Sequence, residues 1–136
     1  MMRSCRFVPI KGKCAEIVEY LLASPDMPSD EGLLFKLRLC CEEAVQNVVD
    51  YAYEDGAGYL EAGTSRQGDI LEIVLMDSGR PFNPLEKEAP DITASLEDRQ
   101  VGGLGIYLCT RMMDSVSYSY EQGCNVLRMT MKDTNN

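Results

Sequence analysis

Strands that arrive in pairs across tight turns constrain the fold of this chain more than any other feature. Tyr59 to Thr64 and Ile70 to Met76 flank the turn Arg66-Gln67-Gly68-Asp69, and Leu71, Ile73 and Leu75 alternate against Glu72, Val74 and Met76. A period of two marks strands, and so short a connection makes them a hairpin. Ser115 to Glu121 and Val126 to Lys132 repeat the arrangement around Gln122-Gly123. An apolar run from Cys5 to Ile10 reads as an edge strand before Lys11-Gly12. Hairpins build antiparallel sheet, whereas parallel sheet needs strand and helix in alternation.

The helical segments lie before and between these hairpins. Ala15, Ile17, Val18, Leu21 and Leu22 recur at helical spacing until Ser24-Pro25. A longer helix is predicted from near Ser29, with Asp30 and Glu31 in its first turn. Leu33, Leu34, Leu37, Cys41, Ala44, Val45, Val48 and Ala52 form its apolar side, and Lys36, Glu43, Asn47, Asp50 and Glu54 the opposite, polar side. Asp55 to Gly58 ends it. A third helix opens at Gly102-Gly103-Leu104-Gly105 and carries Ile106, Leu108, Cys109, Met112 and Met113; the last four residues are expected to fray. The architecture expected is an α/β two-layer sandwich, a mixed and mainly antiparallel sheet with helices on one face, formed by residues 1–136 as one domain. A Rossmann fold needs G-x-G-x-x-G, and Gly103-Leu104-Gly105-Ile106-Tyr107-Leu108 lacks the third glycine. The P-loop pattern is absent as well.

Composition narrows the chemistry. The chain has 136 residues and no histidine, which removes Ser-His-Asp and Cys-His catalysis and the commonest zinc ligands together. Carboxylates, amides and backbone donors remain. A formal charge of −9 repels polyphosphate, so direct nucleic-acid binding is not expected, and a bound nucleotide must be held by local donors and a metal ion. The start, MMRSCRFVPIKGK, has no continuous apolar core, and no stretch approaches the roughly 18 apolar residues of a membrane span. A cytoplasmic protein without membrane contact is expected. Six cysteines, none in a C-x-x-C arrangement, are expected to be reduced and mostly buried.

Three constellations could carry function. Glu43 and Asn47 stand one helical turn apart, so a carboxylate and an amide share a face. The amide oxygen suits magnesium and the carboxylate suits a base, although a solvated polar stripe would read the same way. Asp77-Ser78-Gly79-Arg80-Pro81-Phe82 follows an apolar strand. There the Asp77 carboxylate can accept from an adenine amino group while Gly79 permits close approach of the base; the bland alternative is a strand-ending turn. Gly102, Gly103, Leu104 and Gly105 offer backbone N–H groups and a helix N-terminus to a phosphate, or simply a flexible entry to the helix. Between the last two runs a charged stretch from Arg80 to Val101, with prolines at 81, 84 and 90, reads as a functional loop.

In their order and spacing these segments resemble the N, G1 and G2 boxes of the GHKL (Bergerat-fold, histidine-kinase-like) ATPases, with about 80–101 in the place of the nucleotide lid. Glu42-Glu43-Ala44-Val45-Gln46-Asn47, Asp77 to Phe82, and Gly102 to Leu108 followed by Met113-Asp114 resemble the anti-sigma factor serine/threonine kinases in particular. The resemblance implies ATP/ADP and Mg²⁺ as cofactors, Asn47 as the Mg²⁺ ligand, Glu43 as catalytic base and Asp77 with Gly79 at the adenine. It implies Gly102, Gly103, Leu104 and Gly105 around the phosphates and Arg99 as a lid cation. The chain departs from the family pattern in three places. Tyr51 stands where histidine is frequent, Cys124-Asn125 where threonine is usual near the adenine, and no arginine immediately precedes Gly102.

The function so implied is transfer of the ATP γ-phosphate to a STAS-domain anti-sigma antagonist and sequestration of a sigma factor, in many family members by a homodimer. The alternatives are an ATP-binding interaction module without useful kinase activity, and the detached ATPase domain of a histidine kinase system. Glu43 argues against the first, and the lack of any phosphoacceptor histidine against the second.

Overall fold

The computed structural model describes residues 2–9, 11–51, 58–86 and 103–134. Both hairpins form. β1 (Arg3–Phe7), β2 (Leu60–Gln67), β3 (Ile70–Asp77), β4 (Ser115–Glu121) and β5 (Cys124–Lys132) make one sheet in the order β1-β2-β3-β5-β4. All four pairings are antiparallel, as the mainly antiparallel reading expected, and no parallel pair occurs among the described residues. The turns explain part of the register. Gln122 and Gly123 both have positive φ, 51° and 79°, the twist a two-residue hairpin needs, and Gly68 supplies φ 61° in the other hairpin.

The sheet is covered on one face by α1 (Cys14–Leu22), α2 (Glu31–Tyr51) and α3 (Gly103–Met112). Its inward residues Leu60, Ala62, Leu71, Ile73, Leu75 and Met129 meet Ile17, Leu21, Leu37, Cys41 and Val45 from the helices. These side chains are at most 1% exposed, and burying each large aliphatic one contributes about 1.5–3 kcal/mol before chain entropy is counted. Arg3 ties the edge strand to α1, donating to the Tyr20 carbonyl at 2.9 Å with its guanidinium over the Tyr20 ring.

Several local expectations shift. The cap of α2 is Asp30, whose Oδ2 accepts from the Leu33 N–H at 3.0 Å, one residue beyond the expected start. Leu108 faces outward on α3, while Ile106 and Cys109 are buried and Cys109 lies against Cys40 of α2. Asp133 is not frayed: it is 2% exposed and receives Arg66 Nη2 at 2.9 Å, while its N–H donates to the Asp69 carbonyl. Of the six cysteines, Cys40, Cys41 and Cys109 are buried, Cys14 and Cys124 half-buried and Cys5 exposed; all are free thiols. Cys40 and Cys41 diverge around α2 yet both are buried, because Cys40 turns toward α3, where Cys109 Sγ donates to its carbonyl. None of the described helices is long and apolar enough to cross a membrane.

Candidate functional site

Where the end of β3 and the start of β5 meet the second half of α2, a small pocket opens between sheet and helix. Ala44, Asn47 and Val48 form its helical wall, Leu75, Asp77, Asn125 and Leu127 its floor, and Phe82, Pro84 and Tyr118 its rim. The lining is mostly apolar with a few convergent polar groups, the composition of a small-molecule site. Two larger grooves lie open between α1 and α2 around Arg38. Neither contains an unpaired buried polar atom.

Asp77 is the last residue of β3 and lies directly across from Asn125 of β5. Its side chain is 4% exposed; Oδ1 accepts from the Gly79 N–H and from Asn125 Nδ2, both at 2.9 Å. Burial raises the Asp77 pKa above the ordinary aspartate value, and these two donors counter the rise only in part. Because both donors converge on Oδ1, Oδ2 is the oxygen left for a ligand. Gly79 is buried and donates into this turn, and its φ is not left-handed.

Asn47 departs from its sequence reading. It was placed on the polar side of an amphipathic helix, yet it is 7% exposed, because α2 is covered on that side by the pocket walls and not by water. Its Oδ1 is the one buried side-chain oxygen or nitrogen without a hydrogen-bond partner among the described residues. An orphaned acceptor of this kind costs about 1–3 kcal/mol unless something binds to it. Among the described residues no three His, Cys, Asp or Glu side chains gather as a metal cage. A single hard oxygen fits magnesium, which keeps several waters and takes its other ligands from substrate phosphates.

Glu43, one turn earlier on α2, is exposed, and no hydrogen bond or ion pair holds its carboxylate among the described residues. It lies against Gly105 in the first turn of α3. A Cβ built on Gly105 would coincide with the Glu43 carboxylate, so the carboxylate can sit here only because residue 105 has no side chain. The fold thus brings Glu43 and the start of α3 together and puts Asn47 and Asp77 in one pocket. Gly103 is the first residue of α3. Gly102, Arg99 and most of the 80–101 stretch lie outside the described residues, as do the side chains of Leu104 and Tyr51.

The sequence reading did not mark Asn125 as a site residue, noting it only with Cys124 as a departure from a threonine. Its amide links β5 to the whole turn after β3. Tyr118, which donates to Asn125 Oδ1, was likewise unmarked. The signal was the cross-strand register, and pairing of β3 with β5 across some fifty residues is not readable from local periodicity.

Comparison with known proteins identifies the domain. Residues 14–131 match the model of the histidine kinase-like ATPase domain. The chain is 35% identical over 101 residues to the serine/threonine-protein kinase BtrW of Bordetella bronchiseptica, spanning 72% of this chain and 70% of that one. It is 32% identical over 95 residues to the serine-protein kinase RsbW of Bacillus cereus, spanning 67% of this chain but only 59% of that one. Among solved structures, the nucleotide-free catalytic domain of the histidine kinase ThkA superposes with a TM-score of 0.56 at 13% identity, covering 96% of this chain and 97% of that one, a likeness of fold.

Proposed function

The chain belongs to the histidine kinase-like ATPase domain family, and from that premise we propose that it is an ATP-dependent protein serine/threonine kinase of the anti-sigma factor type. The observation that carries the reading is the buried, unpartnered Asn47 Oδ1 in a pocket that also holds Asp77, one helical turn from the carboxylate of Glu43. The two relatives named as serine kinases support the reaction class.

In this reading adenine enters between Leu75, Leu127 and Phe82, and its amino group donates to Asp77 Oδ2. Gly79 allows the base to lie close to the backbone. The phosphates run toward the start of α3, where Gly103, Leu104 and Gly105 present N–H groups at the positive end of the helix, and the family resemblance adds Gly102 and Arg99 to the phosphate-binding residues. Asn47 Oδ1 would hold Mg²⁺, which when bound neutralises charge on the β- and γ-phosphates. Glu43 accepts the proton of the acceptor hydroxyl as its oxygen bonds to the γ-phosphorus, and the bond to the β-phosphate oxygen breaks to release ADP. Positioning and electrostatics do most of this work, so a histidine-free chain suffices.

The acceptor is a serine or threonine of a STAS-domain anti-sigma antagonist, and the second partner is a sigma factor held inactive, so the protein acts in transcription regulation within the cytoplasm, as a homodimer. Incubating the chain with labelled ATP, Mg²⁺ and candidate STAS proteins, then mapping the modified residue, tests the proposal. A labelled serine or threonine is expected. Nucleotide binding with no labelled acceptor would instead favour the interaction-module reading.

A further inference from the structure

The Asn125 amide is bonded to its full capacity. Nδ2 donates to Asp77 Oδ1 at 2.9 Å and to the Arg80 carbonyl at 2.8 Å, with a longer 3.4 Å approach to the Gly79 carbonyl. Oδ1 accepts from the Phe82 N–H at 2.9 Å and from the Tyr118 hydroxyl. A primary amide has two N–H donors and two lone pairs, and the four short bonds use them all. The orientation of the amide is set by its neighbours, since the Phe82 N–H requires an acceptor and the Arg80 carbonyl a donor. Asn125 is 5% exposed, so water does not compete for these bonds.

Two consequences follow from that count. Asn125 has nothing left to offer a purine directly, although it lines the pocket. It does fix both the Asp77 carboxylate and the turn from Gly79 to Phe82 that frames the base. No other side chain of similar size combines two donors with two acceptor positions at that reach: aspartate lacks the donors, threonine has one, leucine has none.

We propose that Asn125 is the positioning residue for Asp77, and that through this carboxylate it sets the preference of the site for 6-amino purine nucleotides. The inference rests on the adenine reading of Asp77 given above. It differs from a general packing role, because it predicts a much larger loss for ligands that carry the 6-amino group than for those without it.

The test compares ADP with purine riboside 5′-diphosphate, which has hydrogen in place of that amino group, by calorimetry on the full chain with Mg²⁺. Asn125→Asp keeps the shape and both acceptor bonds but removes the donors. ADP affinity should fall roughly 10- to 100-fold, while affinity for the purine analogue changes less than about threefold. Asn125→Thr, which keeps one donor and adds no charge, should show the same selective loss in smaller degree and secures the result should the aspartate variant fold poorly. Equal losses for both ligands, or an unchanged ratio, would overturn the assignment. Asp77→Asn serves as the reference. If it abolishes the preference for ADP and Asn125→Asp does not, only the role of Asn125 fails; if it leaves the preference intact, the adenine reading fails first.

Discussion

The strand-end side and the helix side of the pocket are finished to different degrees. At the strand ends Asp77, Gly79, Arg80, Phe82, Tyr118 and Asn125 form a closed network in which the amide of Asn125 has no bonding capacity to spare. On α2, Asn47 Oδ1 is buried without a partner and the Glu43 carboxylate rests against Gly105 without a hydrogen bond among the described residues. A saturated network is rigid and specifies shape, so it suits recognition of an invariant base. Unsatisfied groups carry a cost that a ligand relieves, which suits phosphate, metal and the changing charge of transfer. Binding and chemistry should therefore separate by mutation.

The sharpest separation is expected at Glu43. Glu43→Gln keeps size and polarity but cannot take the proton, so transfer should fall roughly 10²- to 10⁴-fold while ADP affinity stays within about threefold. Steady-state kinetics beside calorimetry read both, and transfer at the wild-type rate would sink the assignment. Gly105→Ala attacks the same group indirectly. The new methyl meets the mobile end of Glu43 and not backbone, so the carboxylate must move while the fold stands. Transfer should drop roughly 10- to 100-fold with the melting temperature nearly unchanged; a large loss of stability would mean that α3 itself cannot accommodate the methyl.

Asn47→Ala should blur the comparison in a defined way. It removes the orphaned oxygen, so ATP affinity measured with Mg²⁺ should weaken about tenfold, with transfer falling alongside it, and affinity measured without the metal should hardly change. Equal weakening in both conditions would place Asn47 among the packing residues only. The smallest effect lies at the strand ends. The folded pKa of Asp77 is raised, so its contribution to stability is complete below the unfolded value and lost as pH rises through the folded one. Ionised Asp77 is thus a cost at neutral pH. Asp77→Asn should melt about 2–4 °C higher near pH 7, with the difference vanishing in acid, even as adenine binding is lost.

What could be read in the sequence follows the range of the interactions involved. Both hairpins, the long helix and its Glu43–Asn47 pair are local features, set by periods of 2 and 3.6 and by glycines at turns, and the structure forms them, with β2 running three residues beyond the expected Thr64 and α2 starting at Glu31. The same reading set Asn47 on the polar side of the long helix, where it is buried, and took Asp133 for frayed. Each error concerns what packs from a distant part of the chain: the pocket wall over Asn47, and Arg66 against Asp133. Asn125 shows the limit most clearly. Its four bonds reach residues 7 to 48 positions away, and only the assembled β3–β5 register brings them together.

A crystal structure of the full chain with ADP and Mg²⁺ tests the central claim most directly. The account predicts the adenine amino group within hydrogen-bonding distance of Asp77 Oδ2, the Asn125 amide in its present bonds, and the metal on Asn47 Oδ1 with the phosphates directed toward α3. A nucleotide seated instead in the open grooves around Arg38, or a metal bound away from Asn47, would contradict it.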